Sequence, residues 1–372
     1  MSVIFNWIVF IIASAGLIGV GVWSKNKIQK QTAEGGEGFL LGGKQIGAFV
    51  GAGTLMATGY SGWGFIGSPG TAYAFGSIEV LANFFFAPAI VFGTLFFANF
   101  MRKNAEKSGG LTVPEYLSTT HKGTDMQRRM VHFIAGLATF VFLSVYMVGQ
   151  IRAVGLVASE WLQIPEIYAS VVLLLVVTVF TMQGGLLAVA LTDTIMCIGK
   201  INTELINPTS SAPYGNSKYS VFLVFIYALL FTTTLPYMSV RFLSLKKDIK
   251  VHEMALYMAP MGIILSLIPF VGMYMLYKNP MLANPDSAMP VFLKTYLPPA
   301  VGGIITLFIL FAMLSTISSV LQALASSLSY DMLVSLSNGD SKPNDKINRI
   351  IVMFTALMGL FLTFVAPQGM LN

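Results

Sequence analysis

The stretch FAMLSTISSVLQALASSLSYD, residues 311–331, holds seven serine and threonine hydroxyls inside a long apolar run. On a helix, Ala312, Ser315, Thr316 and Ser319 share one face. Hydroxyl and carbonyl oxygens suit a hard cation such as sodium; sulfur and nitrogen donors do not. The same serines could instead bond back to their own helix or hold neighbouring helices together. A second segment, QIGAFVGAGTLMATGYSGWGFIGSPG, carries glycines at 47, 51, 53, 59, 62, 64, 67 and 70. Such a run can be a close-packing helix face, or a helix broken mid-span whose freed carbonyls face a cation. Ser68-Pro69-Gly70 reads as a helix stop. A third segment is FTTTLPYMSVR. Pro236 removes a backbone donor and frees a carbonyl one turn earlier, which Thr232, Thr233 or Thr234 could satisfy unless they face a cavity.

Asp193, in GGLLAVALTDTIMC, is an acid inside an apolar run. Such residues are costly in a membrane and point to function, or to an interfacial position beside a cation. Gln150 and Arg152, in VYMVGQIRAVG, could line a solute cavity or pair with Asp193 or Glu160. Glu79 is expected at an outer interface. His121, His132 and His252 lie in loops or at helix edges without metal-ligand spacing. There is no Walker loop for ATP. No serine, histidine and carboxylate can be placed together at one membrane depth. The chemistry on offer is ion and solute binding, and no enzyme is expected.

These residues need helices to position them, and the composition supplies them. Of 372 residues, 55% are hydrophobic and 10% charged, with a mean hydropathy of +0.74. A soluble domain carries about 25% charged residues. The chain therefore reads as an all-α polytopic membrane protein. Its one cysteine, Cys197, excludes an internal disulfide framework. The net charge of +6 sits in short loops between apolar runs, which argues against nucleic acid as a partner. The first apolar run lacks a basic leader and is long enough to span, so it is not expected to be cleaved.

About 20 apolar residues cross a bilayer, and ten spans follow: 3–22, 45–66, 72–100, 131–157, 166–182, 185–199, 220–243, 252–277, 299–335 and 348–367. With the N-terminus outside, Lys25, Lys27, Lys30, Lys44, Arg102, Lys103, Lys107, Lys122, Arg128, Arg129, Arg241, Lys246, Lys247, Lys250, Lys342, Lys346 and Arg349 fall inside. Lys200, Lys218, Lys278 and Lys294 fall outside, and Arg152 lies within a span. That asymmetry fits the excess of cations on cytoplasmic loops and supports the orientation. Span 185–199 is short, and the polar loop INTELINPTSSAPYGNS follows it.

Over roughly residues 38–367 the chain resembles the sodium:solute symporter family. The motifs are FLLGGKQIGAFV, SGWGFIGSPGTAYAFG, LTVPEYL, GGLLAVALTDTIM and LSTISSVLQALASSLSYDML. LPYMSVRFLSLKKDIKVHE and TYLPPAVGGI look most like sodium/pantothenate symporters. The resemblance implies a leading helix and a five-plus-five inverted-repeat (LeuT-like) core in one transmembrane domain. The leading helix and inner loop would be 1–30, the first repeat 38–199 and a partial second repeat 220–367, incomplete at the C-terminal end.

The resemblance also implies a sodium site, with Na+ as the coupling ion. Its ligands would be the carbonyls of Ala57, Tyr60 and Ala312 and the hydroxyls of Ser315 and Thr316, with Ser319 only packing. Asp193 would act in sodium coupling. Ser61, Trp63, Tyr146, Gln150, Thr232 and Pro236 would line the solute cavity. Some family members carry an aspartate where this chain has Gly59, so a coupling role there is absent or moved. The expected function is sodium-driven import of a small organic solute across the plasma membrane, pantothenate first, with proline or a monocarboxylate as alternatives. A symporter-like sensor is the rival of another class, disfavoured because no signalling module follows.

Overall fold

The computed structural model describes residues 3–31, 44, 46–108, 110–196, 222–246, 248–336 and 345–366. These residues form helices, joined at one place by an isolated bridge between Ile46 and Leu245. In a bilayer a helix satisfies every backbone group within its own segment, which is why the apolar runs take this form. Six described helices are long and apolar enough to cross, and one bent pair makes a seventh.

The order is α1 (Val3–Gln31), α2 (Ala48–Gly62), a π-helical turn at Trp63–Gly67, α3 (Ser68–Phe75) and α4 (Ile78–Ser108). The short α5 (Val113–Thr120) precedes α6 (Asp125–Leu162) and α7 (Glu166–Met196). Then come α8 (Leu223–Thr234), α9 (Pro236–Leu243), α10 (Val251–Leu265), α11 (Phe270–Lys278) and α12 (Ala288–Thr295). The set closes with α13 (Pro299–Ser326), a π-helical stretch at Ser327–Met332, α14 (Leu333–Leu336) and α15 (Asp345–Val365).

Successive helices mostly alternate in direction, but α7 and α8 run the same way: α7 starts beside the end of α6, and α8 lies parallel to α4, with Phe222 against Phe85 and Thr232 against Gly93. At one end, Arg102 Nη1 donates to Lys246 O at 2.8 Å, and Ile46 and Lys246 exchange backbone bonds with Ser244 and Ile46. At the same end of α13, Asp331 accepts from Thr112 Oγ1 at 2.5 Å and lies 2.9 Å from His132 Nε2. At the opposite end, Asn6 Nδ2 reaches Trp161 O at 2.8 Å, Tyr73 Oη reaches Asn279 O, and Lys294 pairs with Glu160 at 2.9 Å. Thus α1 begins where α6 finishes, and Arg102 and Lys246 gather with the starts of α2 and α10.

Several expectations change. Runs 166–182 and 185–199 were read as two spans; helix α7 passes through Gly184 and Gly185 without a break, because nothing prevents glycine from continuing a helix. Residues 197–199 of that run, the loop after it and Cys197 lie outside the described residues. Ser68-Pro69-Gly70 does not stop a helix. Pro69 sits in the first turn of α3, where its missing N–H costs nothing, and the stop comes at Gly76 with φ 81°. The next helix consequently starts at Ile78, not at residue 72. Glu79 is not interfacial. It is fully buried and accepts from Ser68 Oγ at 2.6 Å and Asn83 Nδ2 at 2.9 Å, tying α3 to α4.

Between α11 and α12 a 3-10 turn, Pro285–Ser287, packs on α3. Asp286 is buried there, and its Oδ1 has no hydrogen-bond partner. It lies over Gly70, where an added Cβ would collide with that oxygen. Burial raises the carboxyl from its ordinary range to about 6. A folded-state value above the unfolded one favours the protonated form, so this contribution is complete below the unfolded value. It disappears as pH rises through about 6. Asp286→Asn should therefore melt like wild type near pH 4 and increasingly above it between pH 5 and 7. Melting curves in detergent that stay parallel across that range would remove this assignment.

Candidate functional site

The site is built on an interruption in helix α2. Ser61 has φ 39° and ψ −164°, a conformation that is costly for an L-residue and persists only where the surroundings impose it. The π-helical turn follows at once, and such turns recur at functional positions. A helix that stops leaves last-turn carbonyls without intrahelical donors. The Tyr60 carbonyl accepts the Trp63 N–H, which leaves its second lone pair. Gln150 of α6 holds the break open: its Oε1 accepts the Gly62 N–H at 2.8 Å. A Cβ at Gly62 would sit 2.8 Å from Ala153 Cβ and 2.9 Å from Gln150 Oε1, so this approach requires glycine.

Helix α13 packs against α2 and supplies the facing wall. Its hydroxyls are not equivalent. Ser318 Oγ and Ser319 Oγ each donate to Ser315 O at 2.8 Å. Thr316 Oγ1 makes one long bond, 3.4 Å, to Ala312 O. Ser315 Oγ is buried and has no partner. A buried hydroxyl without a partner is unfavourable unless something else satisfies it. Ala57, Tyr60, Ala312, Ser315 and Thr316 are all buried. The residue set therefore fits a dehydrated hard cation: an orphaned hydroxyl, a weakly engaged one and carbonyls beside a helix break.

Beneath this wall lies a residue that the charge pattern had placed in an inner loop. Arg241 is fully buried. Its Nε donates to Thr54 Oγ1 at 2.7 Å. Its Nη2 donates to Thr58 Oγ1 at 2.6 Å and Ser319 Oγ at 2.5 Å, and its Nη1 to Tyr237 O. Ser319 is thus a link between helices and not mere packing. The missed signal was local: in YMSVRFL the arginine is flanked by apolar residues, the same argument that singled out Asp193.

Aromatic rings surround the break. Tyr146 stacks on Tyr237 with centroids 5.4 Å apart. Phe86 contacts Tyr60 at 5.5 Å, Trp63 at 5.2 Å and Phe231 at 6.0 Å. Ser61, Trp63, Tyr146 and Gln150 therefore come together around one level of the bundle. Tyr237 and Phe86 join them; Tyr237 lies in the segment FTTTLPYMSVR, but neither was expected to line the cavity. Pro236 begins α9 after a 54° bend from α8. Thr232 behaves differently: its hydroxyl donates to Ala228 O at 2.8 Å, and its side chain packs on Gly93 of α4. Arg152 donates to Thr363 O and Ala366 O at the C-terminal end of α15, where carbonyls and the helix dipole favour a cation. Glu160 is bound to Lys294 at 2.9 Å. Asp193 lies late in α7, and its side chain is outside the described residues.

Known proteins match this fold and sequence. A solved structure of a Na+-coupled sialic acid symporter, in a substrate-bound outward-open state, superposes with a TM-score of 0.76 at 18% identity. The match covers 98% of this chain and 82% of that one, and it shows a LeuT-like fold. Among curated relatives, sodium/proline symporter 2 of Staphylococcus saprophyticus is 23% identical over 404 residues, 99% of this chain and 77% of that protein. A sodium/proline symporter of Staphylococcus aureus is 24% identical over 408 residues, again 99% and 77%. The sequence profile described as "Sodium:solute symporter family" matches residues 39–209 and 200–372. The chain therefore belongs to the sodium:solute symporter family, as a multi-pass membrane transporter and not an enzyme.

Proposed function

We propose that the protein imports a small zwitterionic or carboxylate solute, proline first, together with sodium across the plasma membrane, with its N-terminus outside. The observation that carries the sodium half is the unpartnered Ser315 hydroxyl beside the weakly bonded Thr316, on the helix packed against the break at Ser61. Sodium would take ligands from Ala57, Tyr60, Ala312, Ser315 and Thr316 and hold α2 to α13. Asp193 is proposed to assist coupling. The solute would then bind among Ser61, Trp63, Tyr146 and Gln150, with Pro236 at the bend of the facing helix, and the bundle would rock about its scaffold.

Proline stands ahead of pantothenate because the relatives named above are sodium/proline symporters. Pantothenate had rested on likeness in LPYMSVRFLSLKKDIKVHE and TYLPPAVGGI alone, which the named relatives do not support. A monocarboxylate remains the third candidate. Sodium moving inward gains about 2.3 kcal/mol per 100 mV from the membrane potential, enough to drive accumulation. The test is uptake of labelled proline into proteoliposomes with and without an inward sodium gradient, competed by unlabelled pantothenate and lactate. Sodium-dependent uptake resistant to both competitors is expected. Uptake of labelled pantothenate but not proline would reverse the choice of solute. No sodium dependence for any of the three would remove the symport reading.

A further inference from the structure

Arg241 joins three helices at one level. Its guanidinium reaches Thr54 and Thr58 on α2, Tyr237 on its own α9 and Ser319 on α13. All five residues are buried. The level is defined by its neighbours. Thr58 follows Ala57, and Ser319 lies one turn beyond Ser315, to whose carbonyl it donates. On the other side, two turns further along, Ile46 and Leu245 pair and Arg102 caps Lys246 O. Arg241 therefore stands between the sodium wall and the cationic end, which is the cytoplasmic end in the orientation proposed above.

A guanidinium stays charged at any physiological pH, so this group cannot escape burial by losing a proton. It is stable there only while oxygen acceptors surround it. Any movement that carries the first half of α2 away from α13 strips Thr54 and Thr58 from it together. An ion held at Ala57 and Ser315 and leaving toward that end would pass the same residues.

We propose that Arg241 is a positioning residue of the transport cycle, a latch that closes the cytoplasmic exit of the sodium site by tying α2 to α9 and α13. The planar, five-donor head suits this task, because one group serves acceptors on three helices in fixed directions. Lysine offers a single point of charge and should hold the exit less well. The latch rests on the sodium reading only for the effect of sodium on it; its closure is measurable with no ion or solute present.

The experiment places a reporter cysteine at Met238, a buried residue of α9 facing Gly59, in the full chain carrying Cys197→Ser. Inside-out membranes are treated with a membrane-impermeant maleimide in sodium-free buffer and in sodium. With Arg241 present, labelling should be slow, and sodium should slow it further. Arg241→Gln should speed sodium-free labelling at least tenfold, and Arg241→Lys should lie between. The acceleration should be absent from right-side-out membranes. Equal labelling rates for Arg241→Gln and its parent, both folded by melting, would overturn the latch. If Arg241→Gln does not fold, Ser319→Ala, which removes one of the acceptors, should speed labelling severalfold in the same direction; no change there would overturn it. A latch intact without sodium but indifferent to sodium would overturn its coupling to the ion site and leave solute identity untouched.

Discussion

Ser315→Ala will raise the sodium concentration for half-maximal uptake by roughly tenfold or more. A hydrogen-bond-like contact to a charged partner contributes about 1.5–3 kcal/mol, and each 1.4 kcal/mol is about tenfold in affinity. The substitution is unusually clean. The Ser315 hydroxyl is buried without a protein partner, so its removal takes an unsatisfied polar atom out of the interior. Stability without sodium should be unchanged or slightly higher, and a loss of sodium affinity could not be assigned to misfolding. Thr316→Ala should act in the same direction, because its 3.4 Å bond to Ala312 O gives little that sodium would have to displace. Thr316→Ser keeps the hydroxyl and should restore most of the affinity. Ser326→Ala serves as the control, since Ser326 Oγ donates to Gln322 O at 2.8 Å on the same helix, two and more turns past the site. Sodium-dependence curves of uptake, measured beside melting curves with and without sodium, separate these outcomes. An unchanged curve for Ser315→Ala would remove the ligand assignment.

The helices were legible because bilayer physics leaves the backbone few options. An apolar run must become a helix, and cations mark one end. The contacts of Asn6 with Trp161 and of Arg102 with Lys246 sit at opposite ends, as alternation requires, but α7 and α8 run in the same direction because the two runs 166–182 and 185–199 share one helix as far as Met196. Where local punctuation had to be weighed against tertiary packing, the reading slipped. Pro69 looks like a terminator in sequence, yet a proline in a first turn is harmless, and the interruption sits eight residues earlier at a serine. No composition rule marks Ser61, because its backbone is held by Gln150 from a helix nearly ninety positions away in the chain.

The hydroxyl cluster illustrates the same limit at finer scale. Seven serines and threonines announce a polar stripe, but spacing cannot say which of them carries a free oxygen. That depends on which ones bond the Ser315 carbonyl and which one meets an arginine from another helix. Arg241 was misplaced because a cation at the end of a span normally serves as a surface marker. Its burial becomes visible only once α2 and α13 are placed against α9. Glu79 failed in the same way. Both are charged groups whose acceptors or donors come from elements that sequence distance hides.

Gln150 carries the other large effect. Its Oε1 is the acceptor for the Gly62 N–H at the point where α2 is interrupted. Gln150→Met keeps most of the side-chain volume and removes that acceptor. The amide is then left buried and unsatisfied, at a cost of about 1–3 kcal/mol, unless the chain rearranges. Rearrangement has two forms: water enters the break, or Ser61 gives up its left-handed conformation and the helix rewinds. Either outcome misplaces the Tyr60 carbonyl and the Ser61 side chain. The maximal rate of sodium-driven uptake should fall roughly tenfold or more. The melting temperature should fall little, because rewinding relieves the unfavourable Ser61 geometry. Gln150→Glu retains an acceptor at the same reach and should keep more of the rate than Gln150→Met. Initial rates at saturating sodium and solute, set beside melting curves, make the comparison. A Gln150→Met protein with full rate would mean that the break holds itself open, and that the strain at Ser61 is imposed by packing of Gly62 on Ala153 alone.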